Sequence, residues 1–230
     1  VDDVTEAVRT LARLHICLNV VSSKGIKYVR DDAGQNIMRQ WECMAQRIET
    51  GCAGTIGSLY EIGCGSGVNL YLFSTLKHVA VLSGLDYSKN LIRIAQSVVL
   101  EADVGCEEAL RVPTEPKYDV VLADSVFQYF NDAAYGQKVL ERMWAKTEKM
   151  VVVTEVHDQE KKDEHMAYRR KCVENYDEVY AGLDKTFYTR EMFLQFAEEH
   201  GADVRSYNLI TNCTGITGLC LIAICIKNNA

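Results

Sequence analysis

The chain has 230 residues, 48% of them hydrophobic, enough to bury a substantial core in one α/β domain. Its 32 acidic side chains outnumber 25 basic ones and leave a net charge of -7, which argues against a nucleic-acid partner, because gripping a phosphate backbone needs clustered Lys and Arg. Nine scattered cysteines without a Cys-x-x-Cys pair argue against zinc, and the longest apolar run, residues 218–226, falls short of the roughly 20 residues of a membrane helix.

The N-terminus opens on Asp2, Asp3 and Glu6 instead of the basic and then apolar stretch of a cleaved leader, so a reducing, cytoplasmic setting is expected. Apolar residues at Val4, Val8, Leu11, Leu14 and Leu18 fall three or four apart and predict a helix over 4–20. A second helix is predicted over 33–48, and the two form an expected N-terminal cap, residues 1–50, outside the core that follows. Between them runs a turn-rich segment, 22–28, that ends on Tyr28.

From residue 59 short apolar runs alternate with amphipathic stretches, the pattern of βαβ units in a parallel sheet. Strands are predicted at 59–62, 79–85, 98–102, 118–123 and 150–156, with helices at 66–77, 88–98 and 132–146. Pro113 and Pro116 mark an ordered surface turn before the fourth strand. Lys161, Lys162, Arg169, Arg170 and Lys171 are interleaved with acids at helical spacing and read as a solvated helix face. A helix at 191–200 and strands at 204–210 and 219–226 follow, the last two joined by a link too short for a helical crossover and therefore antiparallel.

The first strand runs into Glu61-Ile62-Gly63-Cys64-Gly65-Ser66-Gly67, where glycines let the backbone turn sharply and approach a ligand without interference from a Cβ. In the dinucleotide fingerprint GxGxxG the third glycine would fall at Val68; the spacing here is GxGxG, preceded by an acid. Asp86 ends the next strand, where a carboxylate can accept both ribose hydroxyls of an adenosyl group. The combination selects a ligand with a ribose and no pyrophosphate, and points to S-adenosylmethionine.

On these residues the chain resembles the class I S-adenosylmethionine-dependent methyltransferases, in particular the small-molecule methyltransferase 11/12-like group, over roughly residues 58–158 and the two terminal strands. The resemblance implies a three-layer Rossmann-like α/β sandwich on a seven-stranded, mostly parallel sheet whose last strand is antiparallel. The cofactor-binding core would cover 58–156, a helical lid insert 157–188, and a C-terminal helix and strand pair 189–230. It further implies that Gly63, Cys64, Gly65 and Gly67 lie against the methionine part of the cofactor and that Glu61 organises the site. Asp86 would hold the ribose, Tyr87 and Asp103 with Val104 the adenine, and Asp124 with Ser125 the edge of the fourth strand. No Asn-Pro-Pro-Tyr or Asp-Pro-Pro-Tyr follows that strand, which lowers planar amino nitrogens as acceptors.

Methyl transfer requires a nucleophile aligned with the methyl group and sometimes removal of its proton. His157, with a near-neutral intrinsic pKa, and Asp124 are the catalytic candidates; the competing reading of His157 is a surface residue that ends a strand. For Glu155 a structural and a functional role are equally open. Tyr28, Gln128, Tyr129, His157, His165, Tyr168 and Tyr188 are candidates for lining the acceptor site, the alternative for each ring being packing of the insert onto the core. Asp124, Glu155 and Asp158 could be assembled into a metal site, but the surrounding motif does not call for one and no metal is expected. The expected function is methyl transfer to an oxygen or nitrogen of a small molecule. The alternatives are a protein or peptide methyltransferase with an open groove, a catalytically silent cofactor-binding partner, and, more weakly, a nicotinamide-dependent oxidoreductase.

Overall fold

The computed structural model describes residues 32–208 and 220–227. The first predicted helix, Tyr28 and the link before the last strand lie outside the described residues. The second predicted helix is α1 (Asp32–Gly51). Trp41, Met44, Ala45 and Ile48, spaced three and four apart, put one of its faces into the core, and the Trp41 ring meets Phe73 edge-on at 5.2 Å. Its second half is therefore a layer helix of the core, where the sequence placed a cap, because the stripe continues in register to Cys52 at the helix end.

Seven strands form one sheet: β1 (Ser58–Ile62), β2 (Val81–Asp86), β3 (Asp103–Cys106), β4 (Tyr118–Asp124), β5 (Thr147–His157), β6 (Asp203–Asn208) and β7 (Cys220–Ile226). Their order is β3-β2-β1-β4-β5-β7-β6; the first five run parallel, and β7 is antiparallel to both its neighbours. The connecting helices are α2 (Val68–Lys77), α3 (Lys89–Val98), α4 (Ala133–Lys146), α5 (Lys162–Cys172), α6 (Tyr176–Val179) and α7 (Arg190–Glu199). Side-chain oxygens of Ser88, Asp132 and Thr189 accept backbone N–H groups at the starts of α3, α4 and α7, which fixes where those helices begin. Among the described residues no helix is long and apolar enough to cross a membrane.

The third strand lies later than predicted. The apolar pair Val98 and Val99 ends α3, with Val99 fully buried against the core, and the chain turns before pairing Asp103 with Ser83. β4 reads as a continuous apolar run because Val120, Val121, Leu122 and Ala123 are buried on both faces of the sheet. One layer of core joins α1, α2 and α3 to the sheet, and the other is built from Phe127, Val139, Leu140, Met143, Phe193 and Phe196 under α4 and α7.

Lys146, fully buried at the end of α4, donates to the carbonyls of Pro113 (2.8 Å) and Pro116 (3.1 Å) and thereby ties down the proline turn. Tyr188 fills the second layer, its hydroxyl donating to the Phe127 carbonyl at 2.8 Å and its ring resting on Gly136, where an added Cβ would come within 2.6 Å of it. Tyr188→Phe removes that hydrogen bond and leaves the buried carbonyl to the Phe130 N–H at 3.2 Å, and it is expected to cost about 1 kcal/mol, read as a lowered Tm in thermal unfolding. An unchanged Tm would contradict this packing role.

Candidate functional site

Parallel pairing brings the ends of five strands to one edge. Glu61 lies opposite Gly84 and Leu122, Asp86 opposite Cys106, and Asp124 opposite Thr154. Beyond β1 the N–H groups of Gly63 and Cys64 both donate to the Leu85 carbonyl, at 2.7 and 2.9 Å, so the chain stays clamped to β2 as it turns over the edge. Gly63 has φ +72°, and a Cβ there would come within 2.4 Å of Val126; Gly65 has φ +54°, and a Cβ there would stand in open space. Together they leave a backbone surface facing outward between β1 and α2.

Acids crowd this edge. Asp86, only 6% exposed, accepts the Gly65 N–H at 3.0 Å on one oxygen and the Ser88 N–H at 2.8 Å on the other. Asn69, in the first turn of α2, donates to Glu61 Oε1 at 2.7 Å and to Asp124 Oδ2 at 3.0 Å, while the Thr154 hydroxyl donates to Asp124 Oδ1. Glu61 is 2% exposed, and its Oε2 has no hydrogen-bond partner among the described residues. Burial pushes Glu61 up to about 8 against the lowering effect of the Asn69 bond, with Asp124 and Asp86 adding to the rise.

An unpartnered buried carboxylate oxygen, two further acids and an open glycine turn fit S-adenosylmethionine, whose methionine end is cationic and whose ribose offers two hydroxyls. Glu61, Asn69 and Asp124 would face the cationic end, and the second lone pairs of the Asp86 oxygens remain for the ribose. Cys64 offers only backbone to a ligand. Its side chain is buried against Gly84, and burial holds its thiol above the ordinary range.

Tyr87, 76% exposed, follows Asp86 and can cover a flat base. Asp103 and Val104, expected at the adenine, lie back from this edge. Asp103 opens β3 beside Ser83, at the far edge of the sheet, and Val104 is buried in the core beside Gly84. The segment that reaches the edge is Cys106-Glu107: the Glu107 N–H donates to the Asp86 carbonyl at 3.1 Å, and Cys106 Sγ contacts the Tyr87 carbonyl at 3.4 Å.

At the ends of β4 and β5 two non-glycine residues adopt positive φ side by side, Ser125 at +58° and Glu155 at +53°. Glu155 lies in a bulge of β5 against β7, between Val153 and Val156, and bulges re-aim side chains. Gln128 donates to the Ser125 carbonyl (2.9 Å) and hydroxyl (2.8 Å), and Ser125 bonds Glu155. Burial, with Asp124 beside it, holds Glu155 above the usual carboxylate range. Such backbone strain persists where the surroundings fix it, typically at functional sites.

Past the bulge the His157 ring lies 4.1 Å from His165 of α5 and 5.2 Å from Phe187. Burial, then His165, Lys185 and Arg169, lower His157 to about 3; burial, then Arg169 and Lys185, lower His165 to about 4. Both imidazoles are neutral at physiological pH, and His157 is too weak a base to take a proton readily from an O–H or N–H acceptor. Tyr129 is exposed with the Lys185 ammonium 3.3 Å above its ring. Two of the expected acceptor residues are placed elsewhere: Tyr188 is a core residue, and Tyr168 bonds Cys172 one turn along its own helix. Sequence reasoning missed Asn69, whose position one turn past the glycine loop was the available signal.

Residues 59–149 match a family model described as a methyltransferase domain. Over 150 residues the chain is 23% identical to the malonyl-[acyl-carrier protein] O-methyltransferase of Bacillus cereus, an alignment covering 64% of this chain and 55% of that protein. The chain thus spans about half the length of the curated relatives it matches. Among solved structures it superposes on the plantazolicin methyltransferase BpumL in complex with a triazolic desmethylPZN analogue and SAH, with TM-score 0.70, 15% identity and coverage of 94% and 91% of the two chains. It also superposes on the magnesium protoporphyrin IX methyltransferase ChlM of Synechocystis PCC 6803 with bound SAH, with TM-score 0.65, 10% identity and coverage of 96% and 100%. At these identities the structural likeness is one of fold.

Proposed function

The chain carries a class I S-adenosylmethionine-dependent methyltransferase domain, and from that premise we propose that it transfers a methyl group to an oxygen or nitrogen of a small-molecule acceptor. The observation that carries the reading is the unpartnered Oε2 of Glu61, set among Asp86, Asp124 and Asn69 beside an open glycine turn. When bound, the cofactor supplies a methyl group already activated on a sulfonium, so the protein's work is binding, alignment and exclusion of water. Asp86 holds the ribose, Tyr87 and Glu107 flank the adenine, and Glu61 with Asn69 and Asp124 receives the cationic end.

Glu155, re-aimed by its bulge toward Ser125, takes the acceptor's proton where the acceptor carries one, the part expected of His157 from its place after the fifth strand. Its raised proton affinity suits the task, since a carboxylate of ordinary strength would hold a proton too weakly. The insert over 157–188 closes the acceptor side: Thr186 docks on the turn after β4 through its N–H to the Gln128 carbonyl (3.1 Å), and Lys185 of the same segment lies over Tyr129. The acceptors in the relatives' names range from a malonyl group on a carrier protein to a plantazolicin analogue and a porphyrin, so they favour methyl transfer without selecting one acceptor.

Calorimetry is expected to show saturable binding of S-adenosylmethionine and S-adenosylhomocysteine, and absence of both would overturn the reading. Following S-adenosylhomocysteine release across phenols, carboxylic acids, amines and short peptides then assigns the nucleophile. Turnover confined to the peptides would overturn the small-molecule part of the proposal.

A further inference from the structure

The insert after β5 encloses a cavity of about 160 Å³ between α5, the short α6 and the segment 180–185, with Met166, Tyr176, Tyr180 and Leu183 among its lining side chains. Its walls are held in place by contacts of their own. Asn175 enters α6 at φ +53° and Gly182 follows it at φ +74°, the two sharp turns that fold this segment along α5. Tyr176 is buried, its ring stacks on Tyr180 at 4.7 Å, and the Arg169 guanidinium lies over the two rings at 5.5 and 5.4 Å. At the exposed mouth Arg170 Nε donates to both carboxylate oxygens of Asp177 at 3.1 Å and joins α5 to α6.

Size and charge narrow what can enter. A cavity on the order of 150 Å³ takes up a molecule of benzene size, whereas pockets for a whole drug-sized ligand run to roughly 300–1,000 Å³. The space therefore suits a single ring and not a complete acceptor. The cations Arg170 and Lys185 in its lining are balanced by the anions Asp177 and Asp184, so neither a carboxylate nor an ammonium group gains a net counter-charge there. Tyrosine rings and a methionine thioether are favourable neighbours for a flat ring. Leu183, 60% exposed, stands at the rim, where a seated ring would take part of its apolar surface out of water.

The cavity adjoins the acceptor side. Lys185, one of its lining residues, lies over the Tyr129 ring at 3.3 Å, and Thr186, next in sequence, donates its N–H to the Gln128 carbonyl. Gln128 in turn holds Ser125, the partner of Glu155. One short segment, 185–186, thus belongs both to the wall of the cavity and to the turn that borders the reaction edge. We propose that the cavity between α5 and α6 is a remote acceptor subsite, which seats an uncharged aromatic ring carried by the methyl acceptor at the end opposite its nucleophile. Binding energy gained at the ring then serves to place the nucleophile at the reaction edge, although the ring takes no part in the transfer. The inference rests on the methyl-transfer reading only for the identity of the molecule that bears the ring; occupancy of the cavity is tested without turnover.

The test uses the protein saturated with S-adenosylhomocysteine, labelled with carbon-13 at the methionine methyl groups and titrated with p-cresol, cyclohexanol, benzoate and benzylamine, with Met166→Leu to identify the Met166 signal by NMR. p-Cresol is expected to shift that signal saturably and to bind about fivefold more tightly than each of the other three, the advantage of ring contacts without a charge to desolvate. Ala181→Trp, which fills the cavity from its exposed wall, should abolish the shift, and Leu183→Ser should weaken p-cresol several-fold, both at wild-type affinity for S-adenosylhomocysteine measured by calorimetry. A Met166 signal indifferent to p-cresol, or p-cresol affinity unchanged in both variants, overturns the cavity as a binding site. Cyclohexanol bound as tightly as p-cresol overturns the aromatic assignment, and tighter binding of benzoate or benzylamine overturns the uncharged one. For the link to the acceptor, S-adenosylhomocysteine release with phenylbutylamine and phenylbutyrate is compared with butylamine and butyrate. At least one aryl compound is expected to react several-fold faster than its alkyl counterpart and to lose that advantage in Ala181→Trp; no aryl advantage in the wild type overturns the assignment to the acceptor. Failure of S-adenosylhomocysteine to bind wild-type protein tells instead against the methyltransferase reading.

Discussion

Asp86→Ala is expected to weaken S-adenosylmethionine binding by a factor of several hundred, a larger loss than any substitution in the 157–188 insert will produce. The carboxylate sits at the end of β2, nearly buried, with one backbone N–H already on each oxygen. Each oxygen keeps a lone pair for a ribose hydroxyl, and hydrogen bonds to a charged group are worth about 1.5–3 kcal/mol each. Two of them lost, at the lower end of that range where a ribose hydroxyl can still bond water, amount to about 3–4 kcal/mol, a factor of roughly 10² to 10³. The substitution also removes the acceptor of the Gly65 N–H and so loosens the glycine turn that lines the same ligand. Asp86→Asn keeps an acceptor on one side and is expected to fall between the two. Calorimetric titration checks both; wild-type affinity in Asp86→Ala would remove the ribose assignment.

How much of this site could be read from sequence depended on whether local chemistry or tertiary packing decided the position. The glycine loop and Asp86 were legible because a sharp turn between strand and helix favours glycine where φ is positive, and because an acid at a strand end reaches the sheet edge directly. Parallel strands buried on both faces announced themselves as apolar runs, and the short final link gave the antiparallel β7. The third strand was misplaced because Val98 and Val99 are apolar for the sake of α3 and the core, and a run of four residues in β3 carries too little pattern of its own. With the strand set too early, Asp103, expected to follow it, is instead its first residue.

Glu155 was ambiguous for a different reason. Strict alternation through 150–156 assigns a face to every residue, and a single bulge resets that assignment beyond Val153. The basic residues after β5 divide in a way that spacing could not reveal. Lys161 pairs with Glu164 at 2.7 Å and Arg170 with Asp177 at 3.1 Å in solvent, as a charged helix face predicts. Arg169, between them in sequence, turns its Nε inward over two tyrosines. One helical step separates a solvated cation from a half-buried one, and only the packing of α6 against α5 decides which is which.

Glu61 sets the second large effect, a coupling of cofactor binding to pH. Its carboxyl is raised from 4.5 to about 8, so at neutral pH the ligand-free protein holds it mostly protonated. A cation placed at Oε2 demands the ionised form, and binding must therefore release about one proton near pH 7. Affinity for S-adenosylmethionine is expected to rise about tenfold between pH 6 and pH 7, since each unit below the raised pKa costs about 1.4 kcal/mol of deprotonation. Stability of the ligand-free fold has the opposite slope: the contribution of protonated Glu61 is complete below 4.5 and is lost as pH climbs toward 8. Glu61→Gln, neutral at every pH, should flatten both dependences, leaving a ligand-free protein more stable than wild type at pH 8 and a cofactor affinity reduced and insensitive to pH between 6 and 7. Calorimetry in two buffers of different ionisation enthalpy counts the released proton, and thermal unfolding across pH 5–8 reads the stability slope. A binding reaction that releases no proton in wild type would mean that Glu61 is already ionised in the free protein, and the orphaned oxygen would then have a partner other than the cofactor.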